Sequence, residues 1–242
     1  MSSAIYPSLK GRTVLITGGG SGIGGGLVTA FVNQGAVVHF IDLVDTVSST
    51  LAQGAATFHA CDLTNIPAVE RVIASIGPVD ILLNNAANDD RHKLGDVTEA
   101  YFDNRIAVNL KHLLFCAKAV APGMKARGGG AIINFGSISW HLGLPDLVLY
   151  ETAKAGIEGM TRALARELGP DNIRVTTIIP GNVKTPRQMK WYTPEGEKAI
   201  VDAQCLPGRI EPAQVASLAL FLASDDASLC TGHGYWIDAG WR

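Results

Sequence analysis

The sequence has no CxxC pair, no cluster of basic residues, no apolar run long enough to span a bilayer and no internal repeat. Each absence closes a class of function. Four cysteines, Cys61, Cys116, Cys205 and Cys230, stand far apart in 242 residues. That spacing suits buried structural thiols better than a zinc or disulfide framework. Acidic residues outnumber basic ones 22 to 20, for a net charge of −2. Nucleic acid is therefore not an expected partner. The longest apolar runs are strand-sized, so no membrane helix is expected. The opening "MSSAIYPSLKGRTVLITGG" lacks a charged start, an apolar core and a small-residue cleavage site, and the expected location is the cytoplasm. His141 has no second ligand at a useful spacing, so no metal site is expected.

What is present is a chain with 47% hydrophobic residues, enough for one sizeable core over residues 1–242. "TVLIT", "VVHFID", "DILLNNAA", "GAIINFGS" and "IRVTTIIP" are short, β-rich apolar runs, with "CDL" closing a further strand and "GYWIDAG" a last one. Continuous apolar strands indicate a sheet buried on both faces, hence mostly parallel. Helical spacing fills the gaps: Leu27, Ala30 and Phe31 after the first strand, then 68–76, 108–124, 151–168 and 212–223. The alternation predicts a single-domain, doubly wound α/β fold with a mostly parallel seven-stranded sheet and helices on both faces. The turn-rich stretch 186–212 reads either as a lid or as a surface excursion.

"TGGGSGIGGG" joins the first strand to the first helix. Glycines there let the backbone turn and approach a ligand, while the helix start offers free N–H groups to a pyrophosphate. Gly18, Ser21, Gly22, Ile23 and Gly24 are the candidates for that contact. Asp42 ends the second strand, 24 residues after Gly18. A carboxylate there can accept from ribose hydroxyls and repels a 2′-phosphate, and its neighbours Leu43, Val44 and Asp45 bring no cation. NAD is therefore expected over NADP, against the simpler reading of an Asp that caps its own turn. Asp62 and Leu63 close the third strand and Asn85, Ala86 and Ala87 follow the fourth, at the strand ends where open α/β sheets bind ligands.

In "YETAK", Tyr150 and Lys154 stand at i and i+4 and share a helix face, with Ser137 thirteen residues upstream of the tyrosine. A free phenol titrates near 10, so a base at neutral pH needs its pKa lowered by ~3 units, about 4 kcal/mol. An ammonium ~4 Å away supplies roughly that at an effective dielectric near 20. The expectation is that Lys154 makes the phenolate accessible, in a polar setting, so that Tyr150 can take a proton from a substrate hydroxyl.

Together these motifs resemble the short-chain dehydrogenase/reductase family, the likeness running from about Leu9 to the C-terminus. TGxxxGIG, the strand-end Asp, DL, NNA, Asn109, Ser137, Tyr150, Lys154 and "PGNVKT" occur in that family's order. The resemblance implies a Rossmann-type fold and a set of roles. Tyr150 is the acid/base, and Lys154 lowers its pKa and binds the nicotinamide ribose. Ser137 holds the reacting oxygen, and Asn109 helps hold a water that relays protons past Lys154. Pro180, Gly181, Val183 and Thr185 line the nicotinamide. It also implies a homotetramer, for which the small residues Ala153, Gly156, Gly159 and Ala163 would permit either close helix contact or packing on the chain's own sheet. Two departures stand out: NNAA replaces NNAG, which requires ordinary backbone angles at Ala87, and DAGW replaces DGG at the end.

Longer stretches, "NNAANDDRHKLGDVT", "INFGSISWHLGL" and "PGNVKTPRQMKWYTPEGE", are similar to bacterial NAD-dependent aldose 1-dehydrogenases. That likeness implies oxidation of a sugar, D-xylose first, at C1 to the aldonolactone. Asn88, Ser139, Trp140, His141, Gln188 and Trp191 are the candidate sugar contacts, polar groups and aromatic faces suited to a polyol, although polar loop residues are commonly just solvated. A dehydrogenase or reductase for a non-sugar alcohol or ketone would use the same catalytic set. A silent NAD-binding sensor would be expected to lack Ser137, Tyr150 or Lys154.

Overall fold

The structure, a computed structural model, describes residues 4–190 and 192–241. Among them, seven strands form one sheet: β1 (Thr13–Thr17), β2 (Val37–Asp42), β3 (Ala56–Ala60), β4 (Ile81–Asn84), β5 (Gly130–Phe135), β6 (Ile173–Pro180) and β7 (Gly234–Ile237). Their spatial order is β3-β2-β1-β4-β5-β6-β7 and every pairing is parallel. The helices are α1 (Gly22–Asn33), α2 (Ile66–Ile76), α3 (Glu99–Ile106), α4 (His112–Ala126), a single turn α5 (Ser139–Leu142), α6 (Val148–Leu168), α7 (Pro194–Asp202) and α8 (Pro212–Ala223).

The strands are apolar throughout because both faces are covered. Val14 and Ile16 of β1 pack with Leu27 and Phe31 of α1 and Val215 and Leu220 of α8. Leu15, between them, points the other way, into a layer with Val69 and Ile73 of α2 and Cys116, Val120 and Met124 of α4. Strand period and two apolar layers together fix the register. The chain reverses direction of winding between β1 and β4, and the crevice outside those carboxyl ends is where such sheets bind ligands.

Three expectations need correction. The helix expected at 108–124 begins earlier and is interrupted: α3 runs into a π-turn, Ala107–Lys111, before α4. The helix expected at 151–168 starts three residues sooner, at Val148. The expectation of buried thiols holds only for Cys116; Cys61 and Cys230 are partly buried and Cys205 is exposed, all four free. Cys205 lies beyond α7 in a surface loop, where its thiol donates to the carbonyl of Gly240 at 3.3 Å. The stretch 186–212 is also less irregular than its turn residues suggest, since it contains α7, capped by the Thr193 hydroxyl, which accepts from Gly196 N–H. No helix among the described residues is long and apolar enough to cross a membrane.

Candidate active site

The loop from β1 to α1 is tied to the end of β4. Gly18 has φ +68°, and a Cβ there would stand 2.7 Å from Ala86 Cα, so no other residue fits without displacing the β4 end. The amide of Asn85 donates to the carbonyls of Thr17 and Gly18 at 3.1 and 3.0 Å, and the Thr17 hydroxyl accepts from Asn85 and Ala86 N–H. Asn85 and Ala86 thus position the glycine loop. Ala87 keeps a negative φ, as the change from glycine requires.

Helix α1 opens at Gly22, with no side-chain cap from Ser21 and no acid in the first turn. Its first N–H groups, among them those of Ile23 and Gly24, are thereby suited to an anion. Gly22 has φ +54°, and a Cβ on it would lie 3.4 Å from the Thr185 methyl. A side chain at Gly22 would fill the cleft that Thr185 borders. The Asp42 carboxylate accepts from Gly20 N–H through Oδ2 at 2.8 Å and from Leu43 N–H through Oδ1 at 2.7 Å. So Asp42 does cap its turn, and being only partly buried it retains lone pairs for a ribose. Leu43 is 70% exposed beside it. Asp62 accepts from the amide and hydroxyl of Thr64, both at 2.8 Å, and Leu63 is buried. Across the cleft, Gly181 N–H donates to Ile237, Val183 bridges to Ile210, and Pro180 ends β6. These residues fit an NAD-sized dinucleotide with a phosphate at α1 and a ribose at Asp42.

Four polar residues converge at the ends of β4 and β5. Tyr150 is the third residue of α6 and Lys154 follows one turn later. The Ser137 hydroxyl stands near enough to the Tyr150 phenol to lower its proton affinity and lies 2.9 Å from Ser139 Oγ. Lys154 is 2% exposed, and its Nζ donates to the Phe135 carbonyl at 2.7 Å. Asn109 sits in the π-turn, fully buried. Its Oδ1 accepts from Asn88 N–H at 2.7 Å and its Nδ2 donates to Asn88 O at 3.0 Å, so the amide is committed to the backbone of Asn88.

The electrostatics differ from the expectation for the tyrosine–lysine pair. Burial raises the Tyr150 pKa well above its ordinary value, and Asp89 raises it further; Ser137 and Arg187 oppose this. The Lys154 ammonium lies over the Tyr150 ring, 5.4 Å from its centre. Burial brings Lys154 itself down to about 8, with Asp89 resisting. The desolvation of a buried phenol outweighs one ammonium whose nearest acceptor is Phe135.

A family profile described as "Enoyl-(Acyl carrier protein) reductase" matches residues 18–242. The chain is 71% identical over the whole of both chains to D-xylose 1-dehydrogenase of Caulobacter vibrioides (strain NA1000 / CB15N). It is 44% identical to a probable galactose dehydrogenase, GalD, of Rhizobium meliloti (strain 1021), with 99% of this chain and 98% of that one covered. The chain belongs to the short-chain dehydrogenase/reductase family. A solved 7α-hydroxysteroid dehydrogenase, complexed with NADH and 7-oxo glycochenodeoxycholic acid, superposes with a TM-score of 0.89 at 29% identity, covering 100% of this chain and 98% of that one.

Within this short-chain dehydrogenase/reductase site, the candidate sugar contacts fall into two groups. Asn88 and Gln188 meet in one network: Arg187 donates to Asn88 Oδ1 at 3.1 Å, and Gln188 Nε2 donates to Asp89 Oδ2 at 2.7 Å. Ser139 adjoins Ser137. Trp140 and His141 belong elsewhere. Trp140 Nε1 donates to Glu158 at 2.7 Å, His141 Nε2 lies 3.1 Å from the same oxygen, and the His141 ring is 4.3 Å from that of Trp236 in β7. Trp191 lies outside the described residues. Sequence reasoning missed Arg187, Asn182 and Tyr192, whose hydroxyl donates to Gln188 Oε1 at 2.7 Å and hydrogen-bonds Asn182. Arg209 then closes the network on Asn182 and Glu197. Asn182, Arg187, Gln188 and Tyr192 all fall within "PGNVKTPRQMKWYTPEGE", but their partners Asn88, Asp89 and Arg209 meet them only through the fold.

Proposed function

We propose that this chain is an NAD-dependent aldose 1-dehydrogenase, with D-xylose as its first substrate and the aldonolactone as product. One observation carries the reading: the Ser137–Tyr150–Lys154 set opens onto a polar network, Asn88, Asp89 and Gln188, built to pair with hydroxyls rather than with an apolar chain. Ser137 donates to the oxygen on C1 and holds it against Tyr150. Tyr150 takes the proton of that hydroxyl, and the carbon–oxygen bond becomes the lactone carbonyl as C1 loses its hydrogen with the bonding electrons. NAD, when bound, supplies the acceptor for that hydride. Gly18, Ser21, Gly22, Ile23 and Gly24 would hold its pyrophosphate, Asp42 a ribose, and Thr185 with Pro180, Gly181 and Val183 its nicotinamide end. Lys154 would hold the second ribose and, with the charge that end brings, draw the Tyr150 proton affinity back down.

The reading also includes a cytoplasmic homotetramer. It is supported by α6, where Gly159 has open space in front of it, and by the exposed apolar side chains Val148 and Leu114. Light scattering at micromolar protein decides the assembly.

The decisive assay is reduction of NAD or NADP with a panel of aldoses, followed by absorbance. Fast reduction of NAD by D-xylose with weaker signals from L-arabinose or glucose is expected, and Tyr150→Phe should bind NAD yet turn over nothing. Clear NAD binding without reduction by any sugar would discard the aldose assignment and direct the search to other alcohols.

A further inference from the structure

The loop after β4 and the loop after β6 are clasped together by one residue. Arg187 Nε lies 2.9 Å from Asp89 Oδ1, and its Nη2 donates to Asp90 Oδ1 at 2.5 Å and to Asn88 Oδ1 at 3.1 Å. The next residue, Gln188, takes the other oxygen of Asp89. Both oxygens of Asp89 are therefore held by two consecutive residues of the opposite loop. The clasp hangs on the site itself, because Asn88 is fixed by the buried Asn109 and Thr185, two residues before Arg187, borders the cofactor cleft.

Asp89 is an awkward neighbour for a base. Among the charged groups facing Tyr150, Asp89 from the β4–α3 connection and Glu151 from α6 make the phenol hold its proton, while Arg187 opposes them, as does the nearby Ser137 hydroxyl. Asp89 faces Lys154 as well. Lys154 is turned toward Phe135 and lies over the ring. Arg187 is thus a cation, besides Lys154, that offsets Asp89 at the phenol, and it does so through the clasp between the two loops.

We propose that Arg187 is a positioning residue: by clamping Asp89 it neutralises the carboxylate that faces Tyr150 and Lys154, and so makes Tyr150 competent as a base only when the loop after β6 is latched across the site. The inference rests on the aldose dehydrogenase reading for its rate measurement. It differs from a plain sugar contact, for which losing the arginine would raise KM and leave the ionisation of Tyr150 where it was. It also explains why a carboxylate can stand beside the catalytic pair at all: in the clasped state its charge is offset and does not hold the proton on the base.

The test is the acid limb of kcat against pH at saturating NAD and D-xylose, in Arg187→Gln, Arg187→Lys, Asp89→Asn and the Asp89→Asn/Arg187→Gln double variant. Arg187→Gln should move the limb up by about one pH unit, an approximately tenfold loss of kcat on the limb. Asp89→Asn should move it down, Arg187→Lys should restore most of the wild-type position, and the double variant should return close to it. A limb unmoved in Arg187→Gln, or one as displaced in the double variant as in the single, overturns the proposal. A second measurement needs no sugar: the tyrosinate absorbance of the NAD complex, taken as the difference from Tyr150→Phe, titrates Tyr150 directly. If no aldose is oxidised, the functional reading fails, and this titration still decides the role of Arg187 by whether the tyrosinate band shifts in Arg187→Gln and returns in the double variant.

Discussion

The Lys154 ammonium donates a 2.7 Å hydrogen bond to the carbonyl of Phe135 at the end of β5, with 2% of the residue exposed. A cation so enclosed is a cost to the fold. Its pKa falls to about 8 from 10.5, so across that window the unfolded chain binds a proton that the folded chain does not. Stability therefore rises with pH from about 8 to 10.5, and below that window the penalty is fully present, on the order of 3 kcal/mol.

Lys154→Met should remove that penalty and abolish turnover together. Part of the gain is lost because Phe135 O is left without its donor, which costs roughly 1–3 kcal/mol. The net expectation at pH 7 is a melting temperature higher by about 2–4 °C, with the gain shrinking toward pH 10.5. Thermal unfolding of both proteins at the two pH values checks this, and a lower melting temperature at pH 7 would show that the carbonyl contact outweighs the buried charge.

Asp42 serves two purposes, and they can be separated. It accepts from Gly20 and Leu43 N–H, which shapes the loop, and its charge faces the place of a ribose. Asp42→Asn keeps an acceptor and removes the charge. The ratio of kcat/KM for NAD over NADP should fall by at least about tenfold, or ~1.4 kcal/mol, while the melting temperature stays near wild type. An unchanged ratio would leave Asp42 as a turn cap only.

His112 sets an acid limit on the fold. It is buried at the start of α4, and burial with the nearby Lys154 brings its pKa down to about 3, against the opposing effect of the Ala107 and Val108 backbone. Its depressed value means that the unfolded chain takes up a proton near pH 6.5 while the folded chain does not. Stability should decline from about pH 6.5 toward 3, by up to roughly 5 kcal/mol from this group. Urea midpoints over that range should fall less steeply in His112→Asn than in the wild type. Parallel slopes would assign the acid loss to other groups.

These cases also mark what a reader of the sequence could see. β1 and β4 are legible because both faces are apolar, and α8 because its apolar residues recur at helical spacing between Pro212 and Ala223. Helix α3 is silent, since none of its residues is buried and no stripe marks it. The π-turn at Asn109 is silent too, because it leaves the apolar pattern into α4 unbroken. In the site, Gly18, Ser137, Tyr150 and Lys154 are legible through spacing that one turn or one helix imposes. Arg187 and Asp90 meet across 97 positions, and Trp140 is drawn to Glu158 by an acid one turn beyond Lys154, so only the folded chain reveals either.

Ala239 occupies the place where the departure from the family's usual ending matters. It has φ +55°, in the left-handed region, and it is one of three non-glycine residues with positive φ among those described. Its carbonyl accepts from both Cys205 and Leu206 N–H, at 2.9 and 3.1 Å, which ties the chain end to the loop beyond α7 and holds the strained angle in place. Alanine in that region costs roughly 1–2 kcal/mol through the clash of its Cβ with the following carbonyl. Ala239→Gly removes the clash and leaves the two accepted hydrogen bonds intact, but gives the unfolded chain more freedom, which takes back up to about 1 kcal/mol. A net gain of about 0.5–1 kcal/mol is expected, read as a higher urea midpoint at an unchanged slope. A loss of stability would mean that the alanine methyl contributes packing there worth more than the strain it carries.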